Sequence, residues 1–442
     1  MKEIAKIQTG VHAAVTVAQP QQPQQPQLSQ QPHWWRAPGA LQRFTVDLID
    51  GELARLRPGR GGLRVAGDGA PDLVADLGAD SLELMALTAA LAEVLQLPQA
   101  GMLDALLADS SLDAWVAVLQ AALEQPAPIA SPARLGFRSS GSSGLPTSSV
   151  HPLAHLWQEV AALAPLLPGR RRIVSAVPCH HIYGFLWTVL LPQLAGPGRI
   201  VPVVDVRGQV AAGVWQALLP GDLVIGYPEF WQAALAGAGL GQCAADVVGV
   251  SSTAPCPQDL AERLQAAGLA RLVQIYGSSE TAGVGWRDGV SAPYRCLPYW
   301  QRVDKDDARL VRRMPDGSAS MVRLPDRLVW QDDCHFALSG RVDAAVQVGG
   351  INVFPQRVAA LLREHPAVVD AAVRLMRPDE GTRLKAYIAT ASGASPATLA
   401  QQLGDYVRQH LAPAERPASF TFGTAVPRQR NGKLADWVID GD

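Results

Sequence analysis

The chain is poor in lysine, in paired cysteines and in long apolar runs. Only 5 of its 442 residues are lysine and the formal net charge is −2, so we expect no general attraction to nucleic acid or to an acidic membrane surface. Its 5 cysteines form no CxxC pair and show no spacing to histidine typical of zinc sites. This favours reduced thiols in a cytoplasmic protein over a disulfide framework.

Signals for secretion or membrane insertion are weak. Residues 1–17 lack the long apolar core of a signal peptide. A long apolar stretch without formal charge, residues 173–198, contains three prolines and two histidines, which favours a buried strand, loop and helix over a membrane span. Hydrophobic residues make up 48% of the chain, enough for sizeable cores and too many for a mostly disordered protein.

Basic residues are absent from residues 65–133. Residues 44–125 hold 13 acidic residues and 4 arginines, a net charge of −9. Residues 1–43 carry +3, which leaves +4 for residues 126–442. An acidic small part followed by a mildly basic large part indicates two parts that attract each other.

Composition and periodicity divide the chain into five segments. Residues 1–43 contain a Gln/Pro tract typical of a disordered leader, and residues 44–125 repeat Leu and Ala at helical spacing, which predicts an all-α four-helix bundle. Residues 126–134 have the prolines of a stiff linker. Residues 135–340 alternate β-branched and helical runs, which predicts an α/β domain, and residues 341–442 predict a small α+β domain.

One string of the acidic segment, GADSLELMALTAAL, predicts a helix that begins at Ser81. The Asp80 carboxylate can accept the free backbone N–H groups at the start of that helix. The string resembles an acyl carrier protein, and the resemblance implies that Ser81 carries 4′-phosphopantetheine, attached by a phosphopantetheinyl transferase. An ordinary capped helix is the structural alternative. A serine hydrolase is disfavoured because no G-x-S-x-G elbow surrounds Ser81.

A Gly/Ser loop follows a short strand in the string FRSSGSSGLPT, from Phe137 to Thr147. Its backbone N–H and hydroxyl groups could cradle phosphate, although such loops are often linkers and the GK[ST] ending of a Walker A loop is missing. Further along, RLVQIYGSSETAG predicts a strand that ends in a turn exposing Glu280 beside hydroxyl groups. A carboxylate in that setting suits Mg²⁺ with phosphate, and a plain polar turn is the alternative.

The order of these strings resembles the adenylate-forming superfamily, which includes acyl-CoA synthetases and non-ribosomal adenylation domains. The resemblance covers about residues 135–440. It implies binding of ATP and Mg²⁺ by an α/β large domain and a mobile small domain. The YGSSETAGVGWR string is most similar to ligases of aryl-polyene and hydroxybenzoate pigment pathways.

The resemblance assigns roles residue by residue. The phosphate loop corresponds to Ser139, Ser140, Gly141, Ser142, Ser143, Gly144 and Thr147. The adenine side corresponds to Thr253, Ala254, Pro255, Tyr276 and Gly277, with Ser279 meeting phosphate, Glu280 holding Mg²⁺ and Asp326 gripping the ribose. His181 meets the acid, Arg341 is the arginine of the family's G-R motif at the ATP/AMP site, Asp343 is the hinge, Gly350 lines the pantetheine tunnel and Lys433 stabilises the adenylation transition state.

Two departures from the family pattern affect the functional expectation. Thr147 stands where the phosphate loop usually ends in lysine, which predicts slower adenylation. The usual N-terminal region before the loop is replaced by the acidic segment, so we expect a truncated large domain. The carboxyl group of an acid would attack ATP, and the acyl group would pass to a phosphopantetheine thiol on the chain's own or a separate carrier.

Two alternatives remain open from the sequence. The chain could be a catalytically impaired carrier or scaffold that presents Ser81 to another ligase. It could also be a free-standing CoA ligase with a vestigial bundle. An amino acid is disfavoured as substrate, because relatives that activate amino acids have an aspartate near the PCHHIYGFLW string and none is present there.

Overall fold

The structure is a computed structural model that describes most of the chain beyond residue 32. The described residues are 33–57, 71–98, 101–125, 134–140, 146–194, 199–236, 243–289, 291–303, 309–341, 345–390, 396–428 and 434–437. Residues 1–32 of the predicted leader and residues 126–133 of the predicted linker therefore lie outside them. No helix in these ranges combines the length and apolar character needed to cross a bilayer.

The acidic segment is helical, as its periodicity predicts. Its helices are α1 (Ala40–Leu56), α2 (Ser81–Leu95), α3 (Met102–Leu107) and α4 (Leu112–Glu124). The predicted start of α2 at Ser81 is confirmed. The Asp80 carboxylate accepts the N–H of Glu83, and the Glu83 side chain accepts the N–H of Asp80, which together form a capping box.

The four helices do not form a self-contained bundle, and we correct that expectation. Their buried side chains belong to the same hydrophobic cluster as those of the α/β part. The ring centroids of Phe44 in α1 and Phe185 lie 5.7 Å apart. Ion pairs also cross between the parts: Arg138 contacts Glu52 at 2.7 Å. A carrier domain with its own core is therefore not supported by the packing, and the helices belong structurally to the large domain.

Residues 33–43 also differ from the expectation of a disordered leader. Trp34 and Leu41 are buried, and Ala40 already begins α1. The Trp34 ring lies 5.1 Å from the Phe185 ring in an edge-to-face arrangement. These aromatic contacts anchor the start of the helical segment to the α/β part.

The large domain is built on a nine-stranded sheet, with a two-stranded hairpin before it and a separate three-stranded sheet formed by its tenth to twelfth strands. Its strands are β1 (Arg134–Ser140), β2 (Pro146–Pro152), β3 (Arg172–Ser175), β4 (Val203–Asp205), β5 (Asp222–Gly226), β6 (Val248–Ser251), β7 (Arg271–Ser278), β8 (Ala282–Asp288), β9 (Tyr294–Cys296), β10 (Trp300–Arg302), β11 (Arg309–Arg313), β12 (Ala319–Arg323), β13 (Asp326–Trp330) and β14 (His335–Arg341). Its α-helices are α5 (Leu153–Leu163), α6 (Ile182–Phe185), α7 (Ala211–Gln216), α8 (Pro228–Ala236) and α9 (Gln258–Ala266).

The strand order of the main sheet is β13-β14-β9-β8-β7-β6-β5-β3-β4. Strands β3 to β7 run parallel, and the pairs from β7 to β13 are antiparallel. Every residue of β5 and β6 is buried, as expected for central parallel strands covered on both faces. The carboxyl ends of β3, β5, β6 and β7 consequently meet at one edge of the sheet.

The last part of the chain is a small α+β unit, as predicted. It comprises the hairpin β15 (Val346–Val348) and β16 (Ile351–Val353), then α10 (Pro355–Arg363), β17 (Val368–Leu375), β18 (Leu384–Thr390), α11 (Pro396–His410) and β19 (Ser419–Gly423). The last three strands form a separate sheet in the order β17-β18-β19. Side chains from this sheet, α10 and α11 form a hydrophobic core distinct from that of the large domain.

Candidate active site

Tyr276, Asp326 and Arg341 come together on the antiparallel side of the main sheet. The Tyr276 hydroxyl donates to Asp326 Oδ2 at 2.9 Å, and Asp326 is the register partner of Arg341 across β13 and β14. Burial, followed by the neighbouring Asp326 carboxylate, raises the pKa of Tyr276, so the hydroxyl keeps its proton. The rings of Tyr294 and Phe336 lie 5.8 and 5.7 Å from Tyr276 and hold it in place.

The turn that follows β7 is closed by its own side chains. Ser278 Oγ and Thr281 Oγ1 lie 3.0 Å apart, and the Ser278 N–H donates to Thr281 Oγ1 at 3.1 Å. From outside the turn, His151 Nε2 donates to the Ser279 carbonyl at 2.7 Å. The Glu280 side chain is exposed and makes no hydrogen bond or ion pair with another described residue. Such a hard, solvent-accessible carboxylate fits a Mg²⁺ ion that also binds phosphate oxygens.

A buried carboxyl group fixes the start of β8, directly after this turn. Both oxygens of Glu159 on α5 accept the Gly283 N–H, at 3.0 and 2.9 Å. Tyr299 and Trp300 donate to the Gly283 carbonyl at 3.2 and 2.8 Å, so both polar groups of this glycine are fixed. Burial raises the pKa of Glu159 to about 7, and the nearby charge of buried Arg312 opposes that shift.

The PCHHIYG segment follows β3 and reaches the same edge of the sheet. The Tyr183 hydroxyl lies 3.0 Å from the Gly226 carbonyl and 3.1 Å from the Val250 carbonyl, which ties the segment to the ends of β5 and β6. Residue His181 is exposed at the protein surface, but many protein atoms lie around its imidazole ring. Desolvation by these atoms, followed by the positive charge of Arg207, lowers the pKa of His181 to about 4, so the ring is neutral at pH 7.

Helix α1 positions the PCHHIYG segment from the other side. Buried Asp47 accepts the Cys179 N–H through Oδ2 at 2.6 Å and pairs with Arg207 through Oδ1 at 2.5 Å. Gly51, one turn further along α1, lies against the His180 ring, where a Cβ atom would come within 2.9 Å of Nε2. Helix α1 thus supports the histidine pair.

The turn between β15 and β16 lies against the residues that follow β6. A Cβ atom at Gly350 would lie 2.8 Å from Thr253 Oγ1, and Gly350 has a φ of 76°, a conformation that other residues rarely adopt. Thr253 and Pro255 are exposed and Ala254 is half-buried. The hairpin of the small domain therefore reaches the edge of the sheet that holds the other candidate residues.

Several predicted site residues cannot be placed in this geometry. Those outside the described residues are Gly141, Ser142, Ser143, Gly144, Asp343 and Lys433. Ser139 pairs with Thr147 in the register of β1 and β2, so the predicted phosphate loop connects the two strands of this hairpin.

The sequence reasoning missed four residues that support the site: Asp47, His151, Glu159 and Arg312. Asp47 could have been recognised from the sequence, because an acidic residue between Phe44, Leu48 and Gly51 interrupts an apolar helix face. Glu159 likewise stands among apolar residues of α5. Their partners are distant in sequence and could not be named without the fold.

Two family models match the chain. The model described as "AMP-binding enzyme" covers residues 76–304, and the model described as "AMP-binding enzyme C-terminal domain" covers residues 357–433. The first match begins before Ser81, so it includes α2 to α4 of the acidic segment. This agrees with the shared hydrophobic core of those helices and the α/β part.

The chain is also similar to curated proteins over nearly its whole length. It is 37% identical to a 4-coumarate–CoA ligase of Cereibacter sphaeroides, over 90% of this chain and 96% of that protein. It is 35% identical to a 4-coumarate–CoA ligase of Halorhodospira halophila, over 89% of this chain and 97% of that protein. A match of this extent leaves out at most about a tenth of the chain and so includes part of the helical segment.

Solved structures share the fold. An amide bond synthetase from Marinactinospora thermotolerans matches with a TM-score of 0.57 at 21% identity, covering 90% of this chain and 93% of that one. An o-succinylbenzoate CoA synthetase from Bacillus subtilis matches with a TM-score of 0.55 at 18% identity, covering 72% and 73%. At these identities the likeness concerns the fold alone.

Proposed function

The chain belongs to the AMP-binding enzyme family, and we propose that it activates an aromatic carboxylic acid with ATP and transfers the acyl group to CoA. The observation that carries the proposal is the meeting of three groups at one edge of the sheet. These are the Tyr276–Asp326 pair, the turn with Glu280, and the histidine segment held by Tyr183.

The nucleotide would bind on the side of Tyr276. Its ring, fixed by neighbouring aromatic rings, offers a flat face for adenine, and Asp326 offers carboxylate oxygens to ribose hydroxyl groups. Glu280 would hold Mg²⁺, which would neutralise phosphate charge as pyrophosphate leaves. The roles of the Ser139–Thr147 loop, Arg341 and Lys433 remain predictions from the family resemblance.

The acid would bind on the side of His181. Because this histidine is neutral at pH 7, it would meet the acid through a hydrogen bond and not through a full ion pair. The Asp47 carboxylate lies nearby, but both its oxygens are engaged, by the Cys179 N–H and by Arg207. It is therefore a poor partner for a substrate ammonium group, which supports an acid without an α-amino group.

The reaction would proceed in two steps. A carboxylate oxygen of the acid attacks the α-phosphorus of ATP, and pyrophosphate leaves. The CoA thiol then attacks the acyl carbonyl carbon, gives up its proton and releases AMP. The contact of Gly350 with Thr253 supports the hairpin as the place where the pantetheine arm of CoA enters.

We favour CoA over a carrier domain as the acceptor because α2 shares the large-domain core and because the similar curated proteins are named CoA ligases. The free-standing CoA ligase is thus the preferred alternative among those that the sequence left open. Modification of Ser81 with phosphopantetheine stays a prediction, as does the likeness to pigment-pathway ligases. Ser81 is exposed at the start of α2, so a transferase could reach it.

A screen of acids by ATP–pyrophosphate exchange tests the proposal. We expect exchange with 4-coumarate and related aromatic acids and none with phenylalanine, which has a similar ring but carries an ammonium group. Lys433→Ala should abolish most of the exchange in the same screen. Exchange driven only by amino acids, or none with any acid, would contradict the proposal.

A further inference from the structure

Two neighbouring strands beside Tyr276 place aromatic rings directly opposite each other. Tyr294 in β9 is the register partner of Phe336 in β14, and their rings stack at 5.7 Å with an interplanar angle of 17°. Because this stack exists, the side chains of these two positions point to the same face of the sheet. Both rings also contact Tyr276, so this face is the one that the candidate nucleotide site uses.

Two register positions further, the end of β9 and the residue just before β14 bring two cysteines together. The pairing of Arg295 with His335 places Cys296 opposite Cys334, and the Cys296 N–H donates to the Cys334 carbonyl at 2.7 Å. Side chains two residues apart in a strand share a face. The Cys296 thiol therefore lies on the face of the Tyr294–Phe336 stack, and Cys334, 38 residues further along the chain, is close enough to influence its ionisation.

We propose that Cys296 and Cys334 form a reversible disulfide that lowers the activity of the site. Opposite residues of antiparallel strands have Cβ atoms about 4.5–5.5 Å apart, and a disulfide needs about 3.8 Å. The strands thus have to approach by roughly 1 Å. Both cysteines are free thiols in this structure.

The exposure of the two cysteines determines which thiol is oxidised first. Cys334 is exposed and Cys296 is half-buried, so a hydroperoxide meets Cys334 first and converts its thiol to a sulfenic acid, with release of water or an alcohol. The Cys296 sulfur then attacks the Cys334 sulfur, loses its proton and releases water. Burial, followed by the nearby Cys334, raises the pKa of Cys296 to about 12, which makes Cys296 the poorer first nucleophile.

The consequence for the site follows from the packing. Drawing β9 and β14 together shifts Tyr294 and Phe336 relative to Tyr276, whose hydroxyl is fixed on Asp326 and whose ring both of them contact. A displacement of this size at a substrate-positioning group can cost up to 10²-fold in rate. We expect at least a roughly tenfold loss of ATP–pyrophosphate exchange on oxidation, and full recovery on reduction.

Peptide mapping of the full chain tests the site itself. The protein is treated with hydrogen peroxide, the remaining thiols are blocked with N-ethylmaleimide, and peptides are separated without reductant. We expect one cross-link, between Cys296 and Cys334, which dithiothreitol removes. It should disappear in Cys334→Ser and persist in Cys243→Ser, a matched control at a cysteine of another core. Separate alkylation of both thiols after oxidation, or a cross-link elsewhere, would overturn the proposal.

The activity measurement tests the regulatory part, and it rests on the proposed function. Oxidation should inactivate the wild type and Cys243→Ser reversibly and should spare Cys334→Ser. A cross-linked protein with unchanged exchange would overturn the effect on activity. A reduced wild type that shows no exchange would count against the proposed function, and the peptide map would still decide whether the two thiols pair.

Discussion

Replacing Glu159 by glutamine should remove a loss of stability that the wild type suffers between pH 5 and pH 8. Glu159 is fully buried, and burial raises its pKa from 4.5 to about 7. In the unfolded chain the carboxyl group ionises near pH 4.5. The folded state keeps the proton up to about pH 7, so it binds more protons in this interval and its stability falls as the pH rises.

The size of the effect follows from the pKa difference. A shift from 4.5 to about 7, at about 1.4 kcal/mol per pKa unit, corresponds to roughly 3 kcal/mol when fully developed. Of this, about 2 to 3 kcal/mol develops between pH 5 and pH 8. Glutamine keeps an oxygen that can accept the Gly283 N–H and has no charge to bury, so the variant lacks this contribution.

The assay is urea unfolding followed by tryptophan fluorescence, at pH 5 and at pH 8, on the wild type and Glu159→Gln. The change in unfolding free energy between the two pH values should be less negative in the variant by about 2 to 3 kcal/mol. Glu229→Gln, at an exposed position of α8, is the matched control and should behave like the wild type. An equal pH dependence in Glu159→Gln and the wild type would refute the reasoning.

Three further changes probe the site directly. Tyr276→Phe removes the hydrogen bond to Asp326, and steady-state kinetics should show a roughly fivefold rise in KM for ATP, which corresponds to about 1 kcal/mol. An unchanged KM for ATP would show that the Tyr276–Asp326 hydrogen bond does not contribute to nucleotide binding. Asp47→Asn removes the charge that holds Arg207, and KM for the acid should rise roughly tenfold while KM for ATP stays constant. Glu280→Gln should lower exchange by roughly 10²-fold and raise the Mg²⁺ concentration needed, whereas an unchanged Mg²⁺ titration would contradict its role as a ligand.

Local patterns in the sequence predicted local structure well. The strings RRIVSAV, DLVIGY, ADVVGV and RLVQIY all contribute strands to the central sheet, and the predicted turn with Ser279 and Glu280 follows β7. The capping box at Asp80 was likewise predictable, because both partners lie within one helical turn. Signals of this kind depend on residues three to eight positions apart.

The packing partner of the helical segment was not predictable in the same way. The periodicity of an amphipathic helix indicates that one face is buried, but it does not indicate which surface covers that face. The acidic composition suggested a separate carrier, whereas Phe44 and Val94 pack on the α/β part, beside Phe185 and Gly136 respectively. The prediction of a separate bundle was therefore wrong because it depended on contacts between residues far apart in the sequence.

The supporting residues of the site show the same limit. Asp47 meets Arg207 across 160 positions, and Glu159 meets Gly283 across 124. A single sequence contains no pattern that links residues so far apart. It contains only the anomaly of an acid on an apolar helix face, which indicates that some buried partner exists.

The identity of the acyl acceptor tests the central claim most directly. Chains pretreated with a phosphopantetheinyl transferase and untreated chains are incubated with ATP, Mg²⁺, CoA and a free acid that supports ATP–pyrophosphate exchange, such as 4-coumarate. Small-molecule thioesters and the intact protein mass are then measured. We expect acyl-CoA and AMP in equal amounts from both samples, with no acyl group on the protein. Acyl groups found only on Ser81 of the pretreated chain, with no acyl-CoA in either sample, would contradict it.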